Sequence, residues 1–578
     1  MPDPGGARDG EPLIHDYSPQ TLADLMAGAS MHLDGDDNQF VRRKHHLSFL
    51  QEYLRELGCA SIIVEAGYVD RDFLEDFSAY HVRSFHEYRR FCTRLHFFNR
   101  RWTKKELQAV MLRKESTQAL QTSYLGFVVL RPLPVTVVGR TCLKTYSSQA
   151  TRGTRYFPTV YRQEVDLYGI RLHVDSVAFQ EQDKDVAACA TSALWSVLQC
   201  TGRKFQHAIP SPVAITGTAA ATGGYDERML PAVAGLTIRQ IADALRYVGL
   251  EPHLIPLEVH KEEGELDDRE PSDTGIVEDQ DGSEQRGDAR PTRQQTGTAA
   301  AIERTRLEFK AAIAAYLRAG IPCLLLMRVI ESSGKEPERH VNHAVAVTGY
   351  RVGRDEATGY GESGVRLEAS RIDKIFVHDD QVGPFAKMQF AEDGTLQVSW
   401  PIQNGSLGQT LARSHTLVVP LNHKIRVPFA TVLRLTLEIG RRLDGTREKF
   451  PAFKTFVGDE PVSWDIRLSS LRELRDDLVR SDLADEVKET LLKKRMPKHL
   501  WRILATVRGG AVLELLLDAT DLVQGEMLVD IVVYAPNAAP LFGVVFAQVG
   551  QGFDSSPAHR KIRRELMKFA PVLPDRRV

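Results

Sequence analysis

Residues 180–202, QEQDKDVAACATSALWSVLQCTG, change from acidic to small and apolar, and this change decides how the middle of the chain is interpreted. The acidic part is typical of a loop, and the apolar part predicts a buried helix with Asp185 as a candidate N-cap and Gly202 near its C-terminal end. Cys189 then lies in the first helical turn. Unpaired N–H groups and the helix dipole favour negative charge there, so this thiol should lose its proton readily.

The other cysteines are placed less favourably for reaction. Cys200 stands at the far end of the same predicted helix, where the dipole works against a thiolate. The six cysteines are scattered without a CxxC pair, so we expect reduced thiols, no disulfide framework and no zinc site. They are Cys59, Cys92, Cys142, Cys189, Cys200 and Cys323.

A thiol nucleophile needs a base and a group that orients the base. His343 opens an apolar strand predicted over 342–352, and Asp379 and Asp380 end the next predicted strand. If these strands are adjacent, either acid would fix the imidazole tautomer. We expect Gln182 and the Cys189 backbone N–H to stabilise an oxyanion. From spacing alone, Cys189 and His343 as ordinary buried residues stay an open alternative.

The order of these elements resembles the papain-like fold, in particular the C39-type peptidase domains of bacteria. In that family a Gln precedes a Cys at the start of a long helix, and helix–Gly–strand units follow. A strand then opens with His-Ala-Val, and a later strand ends in an acid or Asn shortly before a Gly. The resemblance covers about residues 178–390. The matching segments are Gln182 to Trp195, Ala242 to Leu250, Ala315 to Pro322, His343 to Tyr350 and Val377 to Gly383.

The chain departs from the family pattern around the nucleophile. The usual Cys-Gly pair is Cys189-Ala190 in this chain. Gln182 stands seven residues before the cysteine, where the family has about six, so Gln180 and Asp183 stay open for its place.

The acid is also ambiguous. Counting back three residues from Gly383, as in a papain-like Asn-Ser-Trp-Gly, selects Asp380. Counting back four, as in an Asp-Pro-x-x-Gly pattern, selects Asp379. Both residues therefore stay candidates for the third member of the site.

The resemblance implies a cysteine peptidase that hydrolyses a peptide or isopeptide bond. Cys189 would be the nucleophile, His343 the base, Asp379 or Asp380 the orienting acid and Gln182 an oxyanion donor. The expected partner is a protein or peptide substrate, and no metal or cofactor is expected. Two alternatives stay open, because a fold does not determine a function. These are a thiol acyltransferase or deamidase on the same fold, and a catalytically inactive binding module.

The expected architecture is α+β, with a papain-like catalytic domain between two flanking regions. Residues 70–98 are predicted as two helices and 542–550 as a strand. Residues 259–300 are rich in charge and poor in large apolar residues, which predicts a disordered insertion. The expected divisions are a flexible tail at 1–40, an N-terminal α+β domain at 41–175, the papain-like domain at 176–420 and a C-terminal α+β domain at 421–578.

The bulk composition excludes several classes of protein. Hydrophobic residues make up 43% and charged residues 26% of the chain, which is ordinary for a globular protein. The formal net charge of -2 gives no reason to expect binding to nucleic acid or to an anionic membrane. The N-terminus has no apolar signal-peptide stretch, so we expect a cytoplasmic, bacterial-type, multidomain enzyme.

Overall fold

The computed structural model describes most of the chain, and its α+β composition agrees with the expectation. The described residues contain mostly antiparallel sheets with helices packed against them. Within these residues every helix is too short or too polar to span a bilayer. The described ranges are 13–31, 39–183, 188–220, 235–257, 293–331, 339–361, 364–400, 410–447, 449–458, 462–521, 525–548 and 556–570.

The first region is a five-stranded antiparallel sheet with helices on it. Its elements are β1 (Leu13–Asp16), α1 (Pro19–Ala29), α2 (Gln39–Arg42), α3 (His45–Glu56), β2 (Ser61–Tyr68), α4 (Arg71–Ala79), β3 (Cys92–Phe98), α5 (Lys104–Met111), α6 (Gln118–Ser123), β4 (Tyr124–Leu130) and β5 (Val138–Leu143). The strands lie in chain order, β1-β2-β3-β4-β5. Neighbours in sequence are therefore neighbours in the sheet, as in a meander.

The second region contains the segments that resemble a peptidase. Its elements are β6 (Gln149–Ala150), β7 (Gly153–Tyr156), β8 (Tyr161–Leu167), β9 (Ile170–Ser176), α7 (Cys189–Phe205), α8 (Pro212–Ala220), α9 (Ile238–Tyr247), β10 (Leu250–Pro256), α10 (Arg293–Arg318), β11 (Cys323–Glu331), β12 (Arg339–Gly353), β13 (Arg366–Leu367), β14 (Ile372–Asp379), β15 (Gly383–Phe390), β16 (Leu396–Val398) and β17 (Thr410–Asn422). In the described chain, nine of these strands form one sheet, in which β12 pairs with β11, β14 and β7. Strands β8 and β9 form a separate hairpin.

The third region completes the chain. Its elements are α11 (Phe429–Arg447), α12 (Pro451–Val457), β18 (Ser463–Ser470), α13 (Leu471–Arg480), α14 (Asp485–Lys493), β19 (His499–Val507), β20 (Gly510–Asp518), β21 (Leu528–Val533), α15 (Ala539–Gln548) and α16 (Pro557–Met567). Its sheet has the order β13-β18-β19-β20-β21. Strands β6 and β7 join the central sheet and β13 joins the third one, so sheet pairing crosses both of the predicted domain boundaries.

The central sheet is covered on both faces by helices. Ala344 and Ala346 of β12 pack in the apolar cluster that contains α7, whereas Val345 and Val347 pack in the cluster that contains α10. This is the alternation expected of a strand, whose successive side chains point to opposite faces. Burial on both faces explains why β12 is a continuous apolar run.

The predicted tail at 1–40 is wrong for residues 13–29. Strand β1 pairs with β2, and α1 begins at a Ser18 cap followed by Pro19. Leu22 and Met26 are fully buried beneath that helix. The cap, the proline at the first helical position and the i, i+4 apolar pair are together a helix signal that the polar surroundings conceal. Residues 1–12 lie outside the described chain.

Three further predictions of secondary structure are corrected. Residues 92–98, predicted as helix, are β3, and residues 542–548, predicted as strand, belong to α15. Short apolar runs fit either structure, and tertiary packing decides between them. Helix α10 begins at Arg293, so the disordered insertion predicted over 259–300 is wrong for its last eight residues. The part at 259–292 lies outside the described residues.

Candidate active site

Helix α7 begins at Cys189, which agrees with the prediction that this residue lies in the first helical turn. Ala188 is the N-cap residue, and its N–H donates to Thr191 Oγ1 at 3.4 Å. The prediction of Asp185 as the cap is wrong, and Asp185 itself lies outside the described residues. Gly202 lies in the last turn of α7, which ends at Phe205, and a Cβ atom there would lie 2.4 Å from Ile209 Cγ1. The first-turn N–H groups of α7, including that of Cys189, have no intrahelical acceptor.

Cys189 differs from the other five cysteines in its surroundings. Burial raises the pKa of each of those thiols, and for Cys59, Cys92 and Cys142 the pKa rises to about 12. A thiol held in its neutral form is a poor nucleophile. The side chain of Cys189 is only half-buried and lies close enough to the imidazole of His343 to help raise the pKa of that ring.

His343 lies on β12, paired across the sheet with Met327 of β11, and its side chain is buried. Its Nε2 donates to Asp379 Oδ1 at 2.9 Å, which leaves Nδ1 for the thiol of Cys189. Burial lowers the pKa of His343 by disfavouring the imidazolium. The charge and hydrogen bond of Asp379, the bond with Cys189 and the charge of Asp380 outweigh burial, so the pKa lies well above its usual range.

Asp379 ends β14 and accepts three N–H groups. Besides His343, the backbone N–H of Gln381 donates to Oδ1 at 3.0 Å and Trp400 Nε1 donates to Oδ2 at 3.0 Å. Burial raises the pKa of this carboxyl, but the charge and hydrogen bonds of its donors lower it below the ordinary value. The Trp400 ring also packs edge-on against His343, with centroids 4.7 Å apart. Asp379 is therefore a fixed carboxylate, and Trp400 is a site residue that the sequence did not indicate.

Asp380 is the more distant of the two acids. Its Oδ1 lies 3.7 Å from His343 Nε2 and has no hydrogen-bond partner among the described residues. Its Oδ2 accepts from the side-chain Nε2 of Gln381 at 2.8 Å. Burial raises the pKa of Asp380 to about 6, and the neighbouring charges of Asp379 and Glu181 add to the rise, against the lowering by His343.

Gln182 lies on the segment that runs beside β5 toward the start of α7, and its side chain is half-buried. Among its proposed substitutes, Gln180 is buried, and the carboxylate of Asp183 is bonded to His81 Nε2 at 2.9 Å. A carboxylate is an acceptor and does not stabilise an oxyanion. Gln182 thus stays the candidate donor, with no hydrogen bond fixing its amide among the described residues.

The two acids and the histidine also form a set of metal-ligating groups. His343, Asp379 and Asp380 each offer a ligand atom, and these atoms lie within 4.8 Å of one another. A divalent cation bound there would take His343 Nε2 away from Asp379. Nitrogen and carboxylate ligands suit Zn²⁺.

Two other candidates from the sequence have structural roles. His340 is exposed at the start of β12. Asp518 Oδ1 accepts from the backbone and side chain of Thr520, and Asp521 Oδ2 accepts from Met527 N at 2.9 Å. Asp518 and Asp521 therefore both accept hydrogen bonds from within the chain.

The thiol, imidazole and carboxylate therefore form one chain of neighbouring groups, Cys189–His343–Asp379, in which His343 donates to Asp379. Such a chain can transfer the thiol proton to the ring, stabilise the resulting imidazolium and present a thiolate at a helix N-terminus. No protein-family model matches the sequence, and a search of curated proteins finds no similar sequence.

Proposed function

We propose that the chain is a papain-like cysteine peptidase that cleaves a peptide or isopeptide bond in a protein or peptide substrate. The observation that carries the proposal is that the imidazole of His343 lies between the Cys189 thiol and the Asp379 carboxylate to which it donates, with the cysteine at the first position of α7. If the cysteine and the histidine were neighbours only by chance, nothing would require a carboxylate next to the ring. Asp379 is such a carboxylate, and three N–H donors hold it in place.

The arrangement of elements supports the same proposal. The nucleophile lies at the N-terminus of a helix, and the base and the acid lie on β12 and β14 of the antiparallel sheet behind it. Helix α7 packs directly on β11, β12 and β14. This order and packing are similar to those of the papain-like fold, in which the helix and the sheet bring the three groups together.

In the proposed reaction, His343 Nδ1 accepts the proton of the Cys189 thiol, and the sulfur forms a bond to the substrate carbonyl carbon. The carbonyl electron pair moves to oxygen, where the Cys189 N–H and Gln182 would donate hydrogen bonds. The imidazolium gives its proton to the leaving amine as the C–N bond breaks. A water molecule, deprotonated by His343, then attacks the thioester and releases the acid and the thiol. Asp379 holds the ring tautomer throughout.

The thiol is tested first by measuring the alkylation rate of each cysteine with iodoacetamide at pH 6 to 7, followed by mass spectrometry of the peptides. Cys59 is a matched internal control, because it is half-buried like Cys189 while burial raises its pKa to about 12. We expect Cys189 to react at least about a hundredfold faster, since only the thiolate attacks. Equal rates for the two cysteines would contradict the proposal.

The reaction is tested by incubating the chain with a peptide library derived from a cell extract. New peptide termini that disappear in Cys189→Ala, but not in Cys59→Ala, would identify a peptidase. A deamidase would change the mass of an intact peptide, and an acyltransferase would join two of them. A reactive Cys189 without any of these products would favour the binding module.

A further inference from the structure

The N-terminal end of helix α3 touches the site at three places. Lys44 Nζ forms an ion pair with the carboxylate of Glu181, next to Gln182. Burial lowers the pKa of His45, against the charge of nearby Asp379 and a bond to the backbone of Ser399, next to Trp400. The third contact is made by His46, which reaches the turn after β14. The three contacts therefore come from consecutive residues, 44–46.

The contact with Glu181 fixes the segment that precedes the nucleophile. The side chains of Lys44 and Glu181 are 9% and 5% exposed, so this ion pair is shielded from water. Glu181 Oε2 also accepts from Val138 N at 3.1 Å, and Arg131 Nη2 donates to the Glu181 carbonyl at 3.1 Å. With two contacts on its buried carboxylate and a third on its backbone carbonyl, Glu181 has little freedom to move, and Gln182 follows it directly.

The contact of His46 fixes the turn that carries the acids. His46 is buried, and its Nε2 donates to the backbone carbonyl of Asp380 at 2.7 Å. Burial lowers the pKa of His46, against the charge of Glu181, while Lys44 and His45 lower it further. A neutral ring with its proton on Nε2 is enough for this bond, so His46 serves as a fixed donor and not as a proton carrier.

The next turn of α3 supports the other end of the same turn. A Cβ atom on Gly383 would lie 2.4 Å from Phe49 Cδ1, so the phenyl ring occupies the space that a side chain would need. Gly383 has a φ of +151°, which other residues rarely adopt. Phe49 and His46 therefore hold the segment from Asp380 to Gly383 at both ends.

From these contacts we propose that Lys44, His45 and His46 form a positioning segment for the thiol site. The segment couples the acid turn to the loop before Cys189, so the N-terminal region is a required part of the site. This inference rests on the proposed function. Each of the three residues contacts Glu181, Ser399 or Asp380 and acts on the site through that residue. Their proposed role is therefore to position the reacting groups and not to react.

The proposal is tested in the full chain with two substitutions of His46. His46→Leu removes the donor, whereas His46→Gln places an amide N–H at a similar reach from the backbone. The exposed His423, in the turn after β17, gives the control His423→Leu. Each variant is measured for the pH dependence of Cys189 alkylation and for thermal unfolding.

We expect His46→Leu to slow alkylation at pH 6 by about tenfold to a hundredfold, because small displacements of catalytic groups have effects of that size. The midpoint of the pH profile should also rise toward that of an ordinary thiol, near about 8.5. His46→Gln should restore most of both, and His423→Leu should change neither. A variant Lys44→Met should shift the profile in the same direction as His46→Leu.

The outcomes separate this inference from the proposed function. If the wild-type Cys189 reacts no faster than Cys59, the proposed function fails and the inference fails with it. If the wild-type Cys189 is reactive and His46→Leu lowers only the unfolding temperature, with an unchanged pH profile, the contact is merely structural and the inference alone is overturned.

Discussion

The two neighbouring acids allow a direct test of which carboxylate supports His343. Asp379 Oδ1 is 2.9 Å from His343 Nε2, and Asp380 Oδ1 is 3.7 Å from the same atom. We predict that Asp379→Asn disables the thiol and that Asp380→Asn has a much smaller effect. The two variants change the same atoms in adjacent residues, so each is the control for the other.

The size of the effect follows from the charges. Two opposite charges about 4 Å apart interact by about 4 kcal/mol at an effective dielectric constant near 20. Asp380 stays beside His343 in the Asp379→Asn variant and compensates part of this loss, which leaves about 2 to 3 kcal/mol. That energy lowers the pKa of His343 by about 2 units. The alkylation rate of Cys189 at pH 6 should therefore fall by about a hundredfold.

The loss of hydrogen bonds to Asp379 adds to the effect of the Asp379→Asn substitution. Asp379 accepts from His343 Nε2, Gln381 N and Trp400 Nε1, and an Asn amide has only one oxygen to accept with. If the amide oxygen faces His343, the amide nitrogen opposes the Trp400 N–H. If the nitrogen faces His343, Nε2 must accept, so the ring proton moves to Nδ1. That tautomer cannot take the proton of the thiol.

Asp380→Asn should be tolerated better. The bond from Gln381 Nε2 needs one acceptor oxygen, which Asn retains, and the other oxygen of Asp380 accepts no hydrogen bond among the described residues. Burial also raises the pKa of this carboxyl, whereas the pKa of Asp379 is lowered, so Asp380 is the less strongly ionised of the two acids. We expect the alkylation rate to change by less than about tenfold, because only part of a more distant charge is lost.

The assay is the alkylation rate of Cys189 measured from pH 4 to 9 in the wild type and both variants. Thermal unfolding of each variant shows that it is folded. Our assignment of Asp379 predicts a large upward shift of the midpoint for Asp379→Asn alone. An equal or larger shift for Asp380→Asn would refute it and would make Asp380 the orienting acid.

Two further predictions concern metal ions and pH. Zn²⁺ should slow alkylation of Cys189 and EDTA should restore it, because a cation on His343, Asp379 and Asp380 removes the base; unchanged rates at millimolar Zn²⁺ would contradict this. Burial raises the pKa of Asp76 to about 8, so the folded state holds this proton more tightly than the unfolded chain between about pH 4 and 8. The free energy of unfolding should fall as pH rises through that window, by up to about 1.4 kcal/mol per unit. Asp76→Asn, which keeps an acceptor for Val213 N, should remove this fall in urea titrations, and parallel curves for variant and wild type would count against the assignment.

The local features of the site could be predicted from the sequence. The change from acidic to small apolar residues predicts that Cys189 lies in the first turn of a helix, and α7 begins at that residue. The apolar runs around His343 and before Asp379 predict the strands β12 and β14, which are neighbours in the sheet. These predictions succeed because helix starts and buried strands depend on a few adjacent residues.

The supporting residues could not be predicted, because they come from distant parts of the chain. Trp400 follows Asp379 by 21 residues, and His46 precedes Asp380 by 334. Neither lies in a segment whose composition indicates a site. The contact arises because α3, in the first region, packs on the turn between β14 and β15. A single sequence contains no signal for such contacts, which only the tertiary fold creates.

The ambiguity between Asp379 and Asp380 has the same origin. Adjacent side chains of a regular strand point to opposite faces, so only one acid should have faced His343. The register shifts between Val377 and Asp379 where β14 ends, and both carboxylates face the ring. What distinguishes them is the number of donors: Asp379 receives the Gln381 backbone N–H and Trp400 in addition to His343, and these bonds stabilise its ionised form. Counting residues back from Gly383 leaves two candidates for the orienting acid, Asp379 and Asp380. The N–H donors from Gln381 and Trp400 favour Asp379.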